Sequence, residues 1–309
     1  MKTYKEERIV TKSSGNILKK ILLLIVFVFL SFLILTAGEI IGLIITTPPV
    51  LLFPGLEANE VWVTGSMYLS FIGIWIVTLG FVAAVKYFRP MLGAFGSKAS
   101  GNNVFMLLAG LLLGFVMNGI CVLGAVLHGD IHLHFGSFRP LAMLLVLFAV
   151  FIQSGAEELM DRGFLYQSIR KLFRNPWVAI ILNSVIFGAI HLNNPGVNAL
   201  GIIQVVLIGI SFSLMVHFAD SIWLPMAAHT GWNYSQAIIF GLPNSGIVLP
   251  FSMMKLEAST ARNSFFYNVG FGVEGTFFAL IVITIVTLLF MLVFRKRNIK
   301  AYDPWESER

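Results

Sequence analysis

The run Glu157-Glu158-Leu159-Met160-Asp161-Arg162 ends a stretch that is otherwise almost continuously apolar from Pro140 onward. Two further clusters, Phe187-Gly188-Ala189-Ile190-His191 and His229-Thr230-Gly231-Trp232-Asn233, interrupt apolar stretches downstream. A charged side chain at the centre of a hydrocarbon layer costs roughly 2.5–3.5 kcal/mol on insertion scales. A chain retains such groups where they satisfy one another or perform chemistry. All three clusters fall in one hydrophobic half of one polypeptide, which points to a single site inside a membrane-embedded helical bundle.

Composition leads to the same class. The 309 residues are 57% apolar and only 12% charged, with a mean hydropathy of +0.86, whereas soluble domains carry about 25% charge. The formal charge of +6 does not describe a nucleic-acid surface, because the basic residues form no stripe and cluster at the chain ends and in short loops. No nucleic-acid partner is expected. The lone Cys121 sits in an apolar run and can form neither an internal disulfide nor a CxxC metal site, so it reads as packing.

A helix needs about 20 apolar residues to cross a core of about 30 Å. Eight segments fit: 17–45, 66–88, 104–127, 140–161, 177–191, 197–218, 222–240 and 271–294. Turn residues such as Pro48-Pro49, Arg89-Pro90, Asn175-Pro176 and Asn193-Asn194-Pro195-Gly196 separate them. The fold class is therefore all-α, a polytopic membrane bundle of about eight helices. Its divisions are an N-terminal tail (1–16), N-terminal spans (17–137), a core carrying the polar clusters (138–241), a loop (242–270), a last span (271–294) and a tail (295–309). The basic flank before Ile21–Leu35 resembles a signal peptide, but apolar character resumes past Glu39, and an uncleaved first span is expected.

Lys12, Lys19 and Lys20 precede the first span, and Lys86, Arg89 and Lys98 follow the second. Arg170, Lys171 and Arg174 follow the fourth, and Arg295, Lys296, Arg297 and Lys300 follow the eighth. The alternate loops are poor in Lys and Arg, with Lys255 and Arg262 in the loop at 242–270 the weakest fit. Both termini are expected on the cytoplasmic side. Gly110-x-x-x-Gly114 fits a close helix contact.

Residues four apart share a helix face. Glu158 can pair with Arg162, leaving Glu157, about 100° around the helix, for another partner. His229 and Asn233 can aim at one point, and Phe187 can pack beneath the His191 ring. Counting about 1.5 Å per residue from Asn175-Pro176 puts Glu157 about 25 Å and His191 about 22 Å up an antiparallel hairpin, at similar depth. Together the clusters supply a base, an ion pair, two imidazoles and an amide, the inventory for activating water and stabilising an oxyanion. The plainer alternative is polar glue between helices. If the amphipathic segment 163–173 projects into the cytoplasm, the site opens to that side, the favoured reading; if the hairpin turn lies at the membrane surface, the site sits nearer the outer leaflet. His128, Asp130, His132 and His134 make a polar loop on the opposite side that reads as solvated rather than metal-binding, and His217 as interfacial. Glu39 and Glu274 are further acids in or near the spans, with no second group in sequence reach.

The order Glu157-Glu158-x-x-x-Arg162, Phe187-x-x-x-His191, His229-x-x-x-Asn233 resembles the CPBP family of intramembrane proteases, also called the Abi or CAAX-protease family. Its eukaryotic members are the CAAX prenyl endopeptidases. Every motif position is filled, and the resemblance covers about 138–240. It implies an intramembrane endopeptidase of a prokaryotic plasma membrane, acting on a membrane-associated or lipidated protein or peptide. In that likeness Glu157 and His191 activate water, and His229 and Asn233 bind a metal or stabilise the oxyanion. Glu158 and Arg162 hold the architecture. The family is usually described as metalloprotease, so a divalent metal, zinc, is expected on His191 and His229; a metal-free pair of glutamate and histidine is the other reading. A non-catalytic immunity or scaffold protein of the same fold is the rival class. A transporter has less support, since the chain shows no repeat symmetry.

Overall fold

The computed structural model describes residues 2–173, 175–297 and 299–306, with side chains from Ile17 onward. Arg174 and the Lys12 side chain, both used in the orientation reading, lie outside the described residues.

The chain folds into helices α1 (Lys2–Thr46), α2 (Glu60–Leu69), α3 (Ile72–Ala84), α4 (Val104–Leu127), α5 (Pro140–Glu158), α6 (Tyr166–Leu172), α7 (Pro176–Ile190), α8 (Ala199–Ala219), α9 (Trp223–Tyr234) and α10 (Phe277–Arg295). Short helical turns lie between them. Six stretches are long and apolar enough to cross a membrane: 17–52, 60–84, 104–127, 140–172, 199–219 and 277–295. The expected fifth and seventh spans are shorter. The first of these, α7, has 15 residues; the second, α9, has 12 residues before a π-helical turn at Ser235–Ile239. The second span begins earlier than expected and is broken at Ser70-Phe71, between α2 and α3.

Helix starts follow local chemistry. Asn59, Asn103, Asn175, Asn198 and Thr276 each accept a backbone N–H of the first turn of α2, α4, α7, α8 and α10. Pro140 and Pro176 occupy first-turn positions that have no N–H to lose. In hydrocarbon such orphan donors have no water to turn to.

The outer surface is apolar in helical spacing. Leu22, Ile25, Phe29 and Phe32 of α1, Leu141, Leu144, Leu145 and Phe148 of α5, and Ile281, Ile285, Leu288 and Leu292 of α10 are all exposed. Polar and charged groups lie inside: Asn118, Glu158, Asp161, Arg162, Asn183, Ser184 and Ser213 are fully buried. This distribution suits a lipid solvent.

Glycines set the closest helix contacts. A Cβ on Gly114 would sit 2.7 Å from the Trp232 backbone nitrogen, and one on Gly110 3.0 Å from the Ala227 methyl. The small-residue pair of α4 therefore seats α9. A second such pair, Gly38-x-x-x-Gly42, seats α1 on the α2–α3 break: a Cβ on Gly38 would meet the Ile74 Cα at 2.6 Å.

One expectation needs correction. The segment 163–173 does not project: Phe164, Leu165, Tyr166 and Ile169 are fully buried, packed with α1, α3 and the returning Trp305. A short antiparallel ribbon pairs β1 (Leu133–Phe135) with β2 (Met254–Leu256), so the loop at 242–270 is tied to the 128–139 loop. Within that clasp Asp130 accepts from His128, Arg262 and Ser264. The side toward which the site opens follows from its lining.

Candidate active site

The site is built where two helices leave α geometry. Directly after Glu158 the chain makes a π-helical turn over Leu159–Leu165, every residue of it buried. Another π turn follows α9. Irregular backbone at membrane depth persists only where protein covers it, and π turns recur at functional sites.

Glu157, His191, His229 and Asn233 all line one cavity of about 290 Å³. The three motifs read from the sequence are thus brought together. Glu157 points into the cavity; its Oε1 accepts from Gln153 Nε2 at 2.6 Å, and its Oε2 stands 3.8 Å from His229 Nε2. His229 donates Nδ1–H to Glu158 Oε1 at 3.0 Å. The same carboxylate pairs with Arg162 Nη1 at 3.1 Å, with both side chains completely buried. Glu158 is therefore more than a counter-ion: it fixes the imidazole that faces Glu157. Arg162 also lies over the ring of Phe187 at 4.3 Å and near that of Phe212 at 5.6 Å.

His191 caps the end of α7. Its Nδ1 lies 2.8 Å from the Phe187 carbonyl oxygen, an acceptor only, so Nδ1 carries the proton and Nε2 offers a lone pair. The Phe187 ring meets the imidazole edge-on, with centroids 4.7 Å apart. Asn233 is held at both ends, donating to Gln153 Oε1 at 3.1 Å and accepting from Asn244 Nδ2 at 3.2 Å.

Sequence reasoning missed Gln153, which bridges Glu157 and Asn233; its position four before Glu157 was the available signal. It also missed Asn244 and Ser245, which reach the cavity from the loop after the second π turn. Glu274, set aside earlier, accepts from Trp232 Nε1, Asn244 Nδ2 and the Ser245 N–H, and so fastens that loop to α9. Glu39, also set aside, lines the cavity from α1.

The lining comes from α1, α2, the α2–α3 break, α5, the first π turn, α7, α9 and the loops around Asn194 and 244–249. No described lining residue comes from the turns at 86–103, 166–176, 219–222 or 296–306. Those turns gather at the end where the C-terminal tail packs: Trp305 Nε1 donates to the Gln167 carbonyl, and the Tyr302 N–H to Asp220. Cytoplasmic termini and a cytoplasmic opening therefore cannot hold together. The short α7 is the reason: it has only 15 residues, and the loops beyond it and beyond α9 bring Asn194 and residues of 244–249 to the cavity.

Among the described residues no group of three or more His, Cys, Asp or Glu is close enough to hold a metal ion. His191, His229 and Glu157 share a cavity without forming a ready ligand set. The loop with His128, His132 and His134 forms none either, since Asp130 is engaged by its neighbours.

Residues 139–235 match the family described as type II CAAX prenyl endopeptidase Rce1-like. A segment of 108 residues, 34% of this chain, is 32% identical to the "Uncharacterized protein YyaK" of Bacillus subtilis (strain 168). That segment spans about a third (36%) of the relative's own length. No solved structure matches the chain. Glu157, His191, His229 and Asn233 all lie inside the matched region, and the likeness is consistent with the CPBP family.

Proposed function

We propose that this protein is an intramembrane endopeptidase that hydrolyses a peptide bond of a membrane-associated or lipidated protein or peptide. The observation that supports it most is the convergence of Glu157, His191, His229 and Asn233 on one cavity inside an otherwise apolar bundle. In this reading a water bound at Glu157 Oε2 gives its proton to that carboxylate as its oxygen attacks the scissile carbonyl carbon. His191 Nε2, its lone pair facing the cavity, orients the water as a second acceptor. Asn233 stabilises the oxyanion through its amide N–H, and His229 does so when its Nε2 also carries a proton. Collapse of the tetrahedral intermediate breaks the C–N bond, and the proton held on Glu157 passes to the departing amine. Glu158 and Arg162 hold His229 in place.

A resident divalent metal, zinc by the expectation above, would need His191, His229 and Glu157 drawn into one ligand set, and no step here runs through it. About one tightly held metal per purified chain, lost in His191→Ala and His229→Ala, would establish it. The setting in this reading is a prokaryotic plasma membrane with both termini cytoplasmic, which puts the cavity on the outer side.

Glu157→Gln tests the base, because it removes the carboxylate at constant volume. Cleavage should fall by roughly 10²–10⁴-fold, the usual weight of a general base, while the protein accumulates normally. Membrane peptidomes of cells carrying wild type and variant would identify the substrate. Full turnover by Glu157→Gln on that substrate would refute the assignment.

A further inference from the structure

Glu39 lies about 10 Å from the outer end of α1, on a helix otherwise lined by Leu35, Ile40, Ile41, Leu43 and Ile44. It forms no hydrogen bond or ion pair with any described residue, yet it lines the same cavity as Glu157 and His191. Its place is not adventitious. The adjacent Gly38, with Gly42 and Gly73, lets α1 and α3 touch backbone to backbone, which fixes the rotation and height of α1.

The charge of the cavity is one-sided. Glu39 and Glu157 are its carboxylates, and among the described residues no lysine or arginine lines it. The nearest guanidinium, Arg162, lies completely buried and matched by Glu158. The remaining wall, including Leu35, Met67, Phe71 and Ile247, is apolar. Glu39 is exposed where it lines the cavity, so a cationic group of a peptide entering the cavity can reach it.

We propose that Glu39 is a specificity-determining residue that takes a cationic side chain of the substrate, so that the preferred substrates are apolar membrane peptides with a Lys or Arg close to the cleaved bond. This rests on the endopeptidase reading and deepens it. Peptides with an acidic residue at that position meet two carboxylates and are excluded.

The test uses the full chain reconstituted in liposomes and a set of quenched-fluorescent Leu/Ala-rich 20-residue peptides, each carrying one Lys, Gln or Glu at one of the central positions. Wild type should cleave the Lys peptide on the order of tenfold better in kcat/KM than the Gln peptide at one position. In Glu39→Gln the Lys-to-Gln ratio should fall to about one, and Glu39→Lys should favour the Glu peptide. A preference that survives both substitutions, or none in wild type, overturns the proposal. Binding of the same peptides to Glu157→Gln and to Glu39→Gln/Glu157→Gln separates the two readings. A Lys preference in binding that needs Glu39, without cleavage by wild type, sinks the protease reading alone. Binding and cleavage both indifferent to Lys sink the role of Glu39.

Discussion

Replacing Glu158 by Gln isolates the charge of the buried pair from its hydrogen-bond geometry. The Gln carbonyl can still accept the His229 Nδ1–H that Glu158 Oε1 accepts at 3.0 Å, so the ring keeps its orientation. The negative charge 3.1 Å from Arg162 Nη1 is lost. Arg162 then remains fully buried, with its Nε and Nη2 already without partners and only Asp161 Oδ2, at 4.0 Å, to oppose it. Its contacts with Phe187 and Phe212 exist in both proteins and do not compensate. Removing one member of a buried pair destabilises by about 3–5 kcal/mol. A loss in that range is expected for Glu158→Gln. Adding Arg162→Met removes the orphaned charge as well, and the double variant should recover most of the loss, since apolar replacement of a whole buried pair is often neutral or better. Unfolding of the detergent-solubilised protein, followed by tryptophan fluorescence, measures all three variants as a double-mutant cycle. The reasoning fails if Glu158→Gln stays within about 0.5 kcal/mol of wild type, or if the double variant is as weak as the single.

Gly114→Val should strike the site from a distance: a Cβ there would press on the α9 backbone at Trp232. An overpacking loss of about 1–3 kcal/mol or more is expected, with cleavage falling further than Gly65→Val, whose Cβ would meet open space; equal behaviour of the two would mean that the α4–α9 contact does not position His229 and Asn233. In the outer clasp, burial alone would raise the Asp130 carboxyl, but hydrogen bonds from Ser264, His128 and Arg262 prevail and hold it below the usual range. Its stabilising contribution is therefore present above the ordinary carboxylate value of about 3.9 and is lost as pH falls through the lowered folded value. Hydrogen exchange at 257–264 should stay slow at neutral pH and accelerate in acid, and Asp130→Asn should accelerate it at neutral pH.

Much of the bundle was legible in the sequence because apolar runs of membrane length have few alternative folds. The convergence of the motifs was legible because i,i+4 neighbours share a face on regular helix, as at Phe187–His191 and His229–Asn233, and Glu158 still meets Arg162 although the π turn begins between them. What escaped has physical causes. A π turn has no compositional mark, so nothing in Leu159–Leu165 announced that the helix there widens and stays buried. The amphipathic look of 163–173 misled because its polar residues face protein partners: Gln167 meets Arg170 and the Trp305 indole. Glu39 had no partner in sequence reach; its neighbours come from other helices, and only the packing of Gly38 and Gly42 brings it to them. Of the two openings weighed, the favoured cytoplasmic one does not combine with cytoplasmic termini, because loop charge orients a chain but does not say that α7 stops short.

The arrangement of charge explains why these polar groups occupy one place. Glu158 and Arg162 compensate each other where no solvent reaches, and His229 draws its orientation from that pair rather than from the cavity. The imidazole is thus anchored from behind, and its Nε2 faces Glu157. Glu157 is held differently, by the neutral amide of Gln153, which orients one carboxylate oxygen without neutralising it. A strong cation at that position would quench the basicity a water-activating carboxylate needs. The neighbouring acids therefore differ in their partners: one is paired with arginine and completely buried, and the other is held by an amide and lines the cavity. The first π turn begins immediately after them, where the chain changes from presenting Glu157 to burying Arg162. A regular helix through the same residues would carry Arg162 on the turn directly beyond Glu158, but the turns that follow, which dock Asp161 on Asn183 and Phe164 in the core, would lie on a different face. The distortion lets one continuous helix serve the site above it and the core below it.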